Sequence, residues 1–175
     1  MSHRAIVDWM GDEIETLDDL LRPGLLAVCI GINPAPPSVA AGHYYQGRLG
    51  QRFFDRLRSA GVIPEDPGWE DDVAFANGIG FTDVVKRPTA SARELSRREL
   101  EHGEARLREK LERLRPERVI FTFKKVAKSL FGPFPGCGRM AQLELLGTPV
   151  FVMPAPFANS DEVALKLEEL HRFFD

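Results

Sequence analysis

The sequence has little of what metal centres, secretion and membrane insertion require. It holds two cysteines, Cys29 and Cys137, too few for a four-thiolate zinc or iron–sulfur site. Its four histidines show no ligand spacing along the chain. The first residues lack the basic and apolar regions of a secretory signal, and the longest apolar run, 25–32, is far below the roughly 18 residues that span a bilayer. We expect a cytoplasmic protein with no metal, no cofactor and no membrane contact.

Length and charge set further limits. The 175 residues suffice for one domain with a real core, so we expect a single domain over 1–175. A net charge of −3 taken alone argues against a nucleic-acid binder. The acidic side chains, however, concentrate in 1–24, 65–72 and 161–175, and the remaining residues carry a net charge of +9. A basic face is therefore compatible with the acidic total.

Apolar runs of strand length alternate with amphipathic segments, which predicts an α/β fold with a mainly parallel sheet. The predicted strands are 25–33, 118–123 and 149–154, and 78–85 is predicted as either a strand or a loop near the core. The predicted helices are an acidic N-terminal segment over 3–22, 51–60, a long helix that follows a capping box at Ser91–Glu94 and ends at Pro116, 124–131, and 161–174. The predicted loops are 34–50, 64–72, 132–138 and 154–160.

The predicted loops locate a binding site. Ligands bind parallel α/β sheets at the carboxyl ends of the strands. The segments 33–50 and 153–160 both follow predicted strands, and 78–89 lies where it can join them. We therefore expect one cleft lined by these three segments.

Four stretches carry a resemblance to a known family. They are LRPGL at 21–25, GINPAPPS at 31–38, GIGFTDVVKRPTASARELSRREL at 78–100 and MPAPFAN at 153–159. In order and spacing they resemble the mismatch-specific uracil-DNA glycosylase and thymine-DNA glycosylase family, from about Leu21 to the C-terminus. The resemblance implies a three-layer sandwich whose central, mainly parallel sheet has four strands flanked by helices.

The resemblance also implies an activity. A monomeric, monofunctional glycosylase would hydrolyse the N-glycosidic bond of uracil in DNA, with uracil opposite guanine as one candidate substrate, and leave an abasic site. It would need no cofactor and would associate with the nucleoid when bound to DNA. The alternative is a non-catalytic module of the same fold that binds damaged or abasic DNA. A P-loop, a G-x-G-x-x-G after a strand and a G-x-S-x-G elbow are all missing, which disfavours unrelated nucleotide-binding or hydrolase folds.

Two polar residues are the catalytic candidates. In the resembled family, the asparagine that Asn33 matches positions the hydrolytic water. Asp83 departs from the family, which carries a lysine or an asparagine there. An aspartate beside an apolar stretch can act as a general base, because partial burial raises its pKa. The alternative for Asp83 is a side chain that caps a local backbone turn.

The remaining candidates surround the extruded base. Tyr45, or its neighbour Tyr44, is expected to stack on the base. Phe157 is predicted either to wedge into the DNA stack or to pack in the core. The other expected members of the base pocket are Gly31, Ile32, Ser38 and Met153. The other expected DNA contacts are Pro156, Ala158, Asn159, Arg87 and Lys124, and for each cation the alternative is an ordinary surface charge.

Overall fold

A five-stranded sheet lies at the centre of the computed structural model, which describes residues 1–133 and 136–175, the side chains of 141–143 excepted. The strands, including a separate N-terminal pair, are β1 (Arg4–Trp9), β2 (Asp12–Leu17), β3 (Ala27–Gly31), β4 (Ile79–Asp83), β5 (Val119–Phe121), β6 (Gly138–Leu145) and β7 (Thr148–Val152). The helices are α1 (Pro36–Ala41), α2 (Arg48–Ser59), α3 (Glu70–Ala76), α4 (Arg97–Leu114), α5 (Lys124–Phe131) and α6 (Ser160–Phe174).

The central sheet has the strand order β4-β3-β5-β7-β6. The first four of these strands are parallel, which confirms the predicted α/β fold with a mainly parallel sheet. The expected count of four strands was wrong, because β6 adds an antiparallel edge beside β7. An edge strand next to a tight turn needs no continuous apolar run, so the pattern that identified the inner strands does not identify it.

Side chains from the two faces of the sheet form two separate cores. On one face, residues such as Cys29, Phe81 and Phe151 pack against α2, α3 and α6. On the other face, residues such as Val28 and Phe121 pack against α4 and α5. The result is the expected three-layer sandwich of helices, sheet and helices. No helix in the described ranges is long and apolar enough to cross a bilayer.

The N-terminal segment is a β-hairpin, so the predicted helix over 3–22 was wrong. β1 and β2 pair in antiparallel register through a two-residue turn at Met10 and Gly11. Both turn residues have positive φ, at 60° and 95°, which is the conformation that closes tight hairpins. The hairpin is joined to the main domain because Trp9 and Leu17 are buried in its cores and the Thr16 hydroxyl donates to the backbone carbonyl of Lys86 at 2.6 Å.

Several predicted boundaries also change. The predicted loop over 34–50 contains α1, which begins at Pro36 because proline is favoured in a first helical turn. α2 begins three residues before the predicted 51, and α3 forms partly within the predicted acidic loop over 64–72. Of the predicted loop over 132–138, residues 134–135 lie outside the described residues.

Two capping boxes precede the long helix. The predicted box at Ser91 and Glu94 is present, but it closes only a 3₁₀ turn at Ala92–Glu94. A second box starts α4, where the Ser96 hydroxyl accepts from the Glu99 amide and the Glu99 carboxylate accepts from the Ser96 amide. Two successive capping boxes therefore fix the part of the chain that leads into α4.

Gly103 of α4 provides a test of this packing. A Cβ at this position would overlap the backbone carbonyl of Val84, just after β4. We expect Gly103→Ala to lower the free energy of unfolding by about 1–3 kcal/mol, although alanine is the better helix former. Urea unfolding followed by circular dichroism measures the effect. Gly47→Ala is the control, because a Cβ there meets no atom within 4 Å. Equal stability of the two variants would contradict the close approach.

Candidate active site

A cavity of about 300 Å³ opens at the carboxyl ends of β3 and β4, the edge at which parallel α/β sheets bind ligands. Its wall is formed by Leu17, Gly31, Ile32, Asn33, Pro34, Ala35, Ser38, Tyr44, Tyr45, Gly47, Arg48, Leu49, Gly50, Phe53, Asp83, Thr122 and Phe123. The cavity therefore brings together the predicted segment 33–50 and Asp83 of the predicted segment 78–89. The third predicted segment, 153–160, does not line it.

Asp83 is the most unusual residue of the cavity. It ends β4, lies 2% exposed, and neither of its carboxylate oxygens accepts a hydrogen bond from any described residue. Burial raises the pKa of Asp83 to about 7, and the positive charge of Lys86 offsets this only in part. The carboxylate therefore does not cap a backbone turn, which was the alternative considered from the sequence. It is a buried acid that titrates near neutrality.

Gly31 allows this placement. It ends β3 and lies opposite Asp83 in the parallel register. A Cβ on Gly31 would overlap Oδ1 of Asp83 and would lie 3.1 Å from the hydroxyl oxygen of Tyr45. Only a residue without a side chain lets both groups approach the end of β3.

Asn33 is held by its amide nitrogen. Nδ2 donates to the Thr89 hydroxyl at 2.7 Å and to the backbone carbonyl of Arg87 at 3.0 Å. Among the described residues no group donates to its Oδ1. The amide is therefore fixed in one orientation, with its nitrogen toward the 87–89 segment and its oxygen left to accept a hydrogen bond from a ligand.

The two tyrosines differ in role. Tyr44 packs in the core, and its hydroxyl donates to the backbone carbonyl of Asp18 at 3.0 Å. Tyr45 has a positive φ of 56°, and its ring packs edge-on to Phe53 at 5.2 Å between ring centres. The Tyr45 hydroxyl is buried without a partner among the described residues. Burial, followed by the charge of Asp83, raises the pKa of Tyr45, so its hydroxyl stays protonated and able to donate.

A partly buried ion-pair network lies close to Asp83, and no sequence pattern indicates it. Asp19 binds Nζ of Lys86 at 2.9 Å, Nζ of Lys110 at 2.5 Å and the Thr82 hydroxyl at 2.8 Å. Burial tends to raise the pKa of Asp19, but the two lysines more than offset this and the pKa is lowered. Both cations are thus committed to Asp19, so neither forms a direct ion pair with Asp83.

Two arginines of α2 hold the predicted loop over 154–160, which carries the wedge candidate Phe157. Arg56 donates to the carbonyls of Pro154 at 2.6 Å and Ala155 at 3.0 Å, and Arg52 donates to that of Pro156 at 3.1 Å. The Arg52 guanidinium also lies 5.2 Å from the ring centre of Phe157. The loop itself, 153–160, contains no arginine, but these two reach it from α2.

Phe157 projects from this loop and is 73% exposed, so it is not a core residue. Pro156 and Ala158 beside it are half-buried. Asn159 caps α6 by accepting a hydrogen bond from the Asp161 amide at 2.8 Å. The loop therefore presents one large apolar side chain to solvent on a braced backbone.

Three other predicted residues lie away from the cavity wall. Met153 is buried in the core between sheet and helices, so the structure does not bring it to the predicted base pocket. Arg87 forms an ion pair with Glu99 at 2.6 Å, and this contact lowers the pKa of Glu99 to about 2. Its side chain therefore anchors the segment that holds Asn33. Lys124 is exposed at the first residue of α5, next to the cavity residue Phe123.

Ser38 and Ile32 complete the predicted set. The Ser38 hydroxyl is buried in α1 and accepts a hydrogen bond from the Gln46 amide at 3.0 Å, which leaves its own proton free to donate into the cavity. Ile32 is half-buried at the cavity wall. Of the predicted base pocket, Gly31, Ile32, Ser38 and Tyr45 thus share one wall with Asn33 and Asp83.

Comparison with known families agrees with this geometry. The family model described as the uracil DNA glycosylase superfamily matches residues 19–166. The matched range begins after the N-terminal hairpin and includes the five strands of the central sheet, the cavity wall except Leu17, and the loop that carries Phe157. The chain belongs to the uracil DNA glycosylase superfamily.

Proposed function

We propose that this protein is a monofunctional DNA glycosylase that hydrolyses the N-glycosidic bond of uracil in DNA, including uracil mismatched with guanine. Membership in the superfamily indicates glycosylase activity on uracil. The observation that carries the proposed mechanism is Asp83, a buried carboxylate that accepts no hydrogen bond from the described residues and lies at the wall of a base-sized cavity. A protein does not bury such a group for stability, because an unpaired buried charge is costly.

In the proposed reaction, one water molecule is held between the Asp83 carboxylate and Oδ1 of Asn33. Asp83 accepts a proton from this water while the water oxygen bonds to C1′ of the deoxyribose. The bond between C1′ and the base nitrogen breaks, and its electron pair leaves with the base. Asn33 contributes orientation, since its nitrogen is already fixed by Thr89 and the backbone of Arg87.

The cavity suits a small planar ligand. Its volume of about 300 Å³ is at the lower end of ligand pockets, and Tyr45, Phe53 and Phe123 supply apolar ring surface. The hydroxyls of Ser38 and Tyr45 are donors for the carbonyl oxygens of a pyrimidine and for the negative charge that develops on the leaving base. None of the described cavity residues is a lysine, which favours direct hydrolysis over a Schiff-base mechanism.

A base must leave the DNA stack before it can enter this cavity. We assign the filling of the vacated space to Phe157, because apolar side chains commonly insert between base steps. Arg52 and Arg56 keep the loop in place, and neutralise part of the charge of nearby phosphates.

Asp83→Asn and Asn33→Ala test the assignment. With oligonucleotides that carry uracil opposite guanine, we expect Asp83→Asn to lower the single-turnover rate by about 10²–10⁴-fold and Asn33→Ala by about 10²-fold. Alkaline cleavage of the abasic product on a denaturing gel measures the rate, with uracil opposite adenine, single-stranded uracil and thymine opposite guanine in parallel. Asp55→Asn, an exposed position on α2, is the matched control.

Two outcomes would contradict the proposal. Unchanged activity in both Asp83→Asn and Asn33→Ala would exclude the mechanism, whichever substrate is cleaved. No cleavage of any substrate by the wild type, together with retained binding to abasic DNA, would instead favour a non-catalytic module.

The raised pKa of Asp83 predicts that a rise in pH increases activity but decreases stability. The base must be ionised, so the single-turnover rate of the wild type should rise with pH and level off above about 7. The native pKa of Asp83 is raised from 3.8 to about 7, so the native state retains a proton that the unfolded state releases. The contribution of protonated Asp83 to the free energy of unfolding is therefore lost as the pH rises from 3.8 to about 7.

Asp83→Asn should consequently raise the melting temperature more at pH 8 than at pH 5, because the loss of wild-type stability accumulates between pH 3.8 and about 7. Differential scanning calorimetry at the two pH values measures this, with Asp55→Asn as control. A lower melting temperature for Asp83→Asn at pH 8 would show that the carboxylate is stabilising and would contradict its assignment as an unpaired charge.

Phe157→Ala tests the wedge. Because the side chain is largely exposed, we expect the melting temperature to stay within about 2 °C and the rate on double-stranded uracil DNA to fall about tenfold or more. The rate on single-stranded uracil should fall less, because no base pair needs to be opened. Leu165→Ala on α6 is the control, another large exposed apolar side chain, at 65% exposure. Equal losses on single- and double-stranded DNA would exclude a wedge.

A further inference from the structure

A cluster of two histidines and two aspartates lies outside the candidate active site. His3, His43, Asp71 and Asp72 each offer a ligand atom, and these four atoms all lie within 4.8 Å of one another. The residues come from three segments: the residue before β1, the loop between α1 and α2, and the first turn of α3. Because the segments are far apart in sequence, the histidines show no ligand spacing along the chain, and the fold alone brings them together.

The backbone fixes His3 in this cluster. The His3 amide donates to the Gly42 carbonyl at 2.8 Å, and the His3 carbonyl accepts from the Asp18 amide at 2.7 Å. Gly42 has a φ of 76°, and a Cβ there would overlap the side chain of Ser2. The N-terminal segment thus lies directly against the loop that carries His43, at a point where only glycine permits the approach.

The other ligand candidates are oriented by neighbouring groups. His43 is almost fully buried, its ring stacks on Trp69 at 4.1 Å between ring centres, and its Nδ1 lies 2.8 Å from Oδ1 of Asp71. Asp71 is fully buried, and its Oδ2 accepts from the Tyr44 amide at 2.7 Å. Nε2 of His3 lies 2.7 Å from Oδ1 of Asp72. Of these contacts, the stacking on Trp69 and the bond from the Tyr44 amide come from outside the four side chains, and such outer contacts fix ring and carboxylate orientation in metal sites.

We propose that His3, His43, Asp71 and Asp72 form a binding site for a divalent transition metal, with Zn²⁺ as the best fit. Two imidazoles and two carboxylates match zinc in type and number, and the imidazoles disfavour Mg²⁺ and Ca²⁺. The surrounding segment, 65–72, carries five acidic and no basic side chains, so the local field attracts a cation.

The four ligand atoms lie near the spacing that a metal requires, all within 4.8 Å of one another. In a tetrahedral zinc site, ligand atoms lie roughly 3.3 Å apart, given metal–ligand distances of about 2.0–2.1 Å. The two histidine–aspartate contacts, at 2.7 and 2.8 Å, would open slightly, and the widest pair in the cluster, at 4.8 Å, would close.

The site would link the N-terminal hairpin to the wall of the active-site cavity. His43 is followed directly by Tyr44 and Tyr45, and the Tyr44 amide is bound to Asp71. A metal at this position would fix the backbone that gives Tyr45 its positive φ. Its role would be structural, since the cluster residues do not line the cavity.

Zinc binding by the whole chain tests the proposal. After the protein is stripped with a chelator, we expect one equivalent of Zn²⁺ to bind with a Kd at or below about 1 µM in competition with a chromophoric chelator. At a free zinc concentration of about 100 Kd, the melting temperature should rise by about 5–10 °C. Millimolar Mg²⁺ should not compete.

Variants separate this site from other zinc ligands. His3→Gln and Asp72→Asn replace the two partly exposed ligands, and each should weaken zinc binding at least tenfold and reduce the thermal shift. Cys137→Ser and His171→Gln, which replace potential ligands elsewhere, should bind zinc as the wild type does. Less than one equivalent bound, competition by Mg²⁺, or unchanged zinc affinity in both His3→Gln and Asp72→Asn would overturn the proposal.

Discussion

The register of two neighbouring parallel strands determines the candidate site. Gly31 and Asp83 end β3 and β4 opposite each other, and the missing side chain of one leaves room for the carboxylate of the other. A shift of the register by one residue would turn Asp83 to the other face of the sheet. The cavity, the burial of Asp83 and the place of the Tyr45 hydroxyl all depend on this pairing.

The raised pKa of Asp83 depends on a second constraint, the distribution of charge behind it. Lys86 and Lys110 are close enough to lower the pKa of Asp83, but both form ion pairs with Asp19, whose own charge raises it. Burial therefore remains the dominant effect. If either lysine bound Asp83 directly, the carboxylate would be a permanently ionised structural group. Because Asp19 binds Lys86 and Lys110, the pKa of Asp83 stays near neutral pH although two cations lie close to it.

The sequence predicted the parts of this architecture that rest on continuous patterns. The predicted strands 25–33, 118–123 and 149–154 are mostly apolar runs, so their length and flanking turns were enough to place them. The motif at 31–38 placed Asn33 at the end of the first strand. The hairpin at 4–17 was missed because its charged, mixed pattern also fits an amphipathic helix, and only the turn at Met10 and Gly11 distinguishes the two. β6 was missed because it is an edge strand.

Contacts between segments that are distant in the sequence could not be predicted from the sequence alone. Asp83 could be identified as a departure from a family pattern, but its lack of a donor depends on Asp19, 64 residues earlier, which binds the nearby lysines. The support of the exposed loop by Arg52 and Arg56 spans about a hundred residues, and no motif indicates it. The same holds for His3 and His43, which lie 40 residues apart in the sequence and show no ligand spacing. In each case, the local sequence supplies the chemical group, and the sheet topology supplies its partners. Asp19 and Arg56 therefore shape the surroundings of the cavity without lining it, since Asp19 binds the lysines near Asp83 and Arg56 holds the loop that carries Phe157.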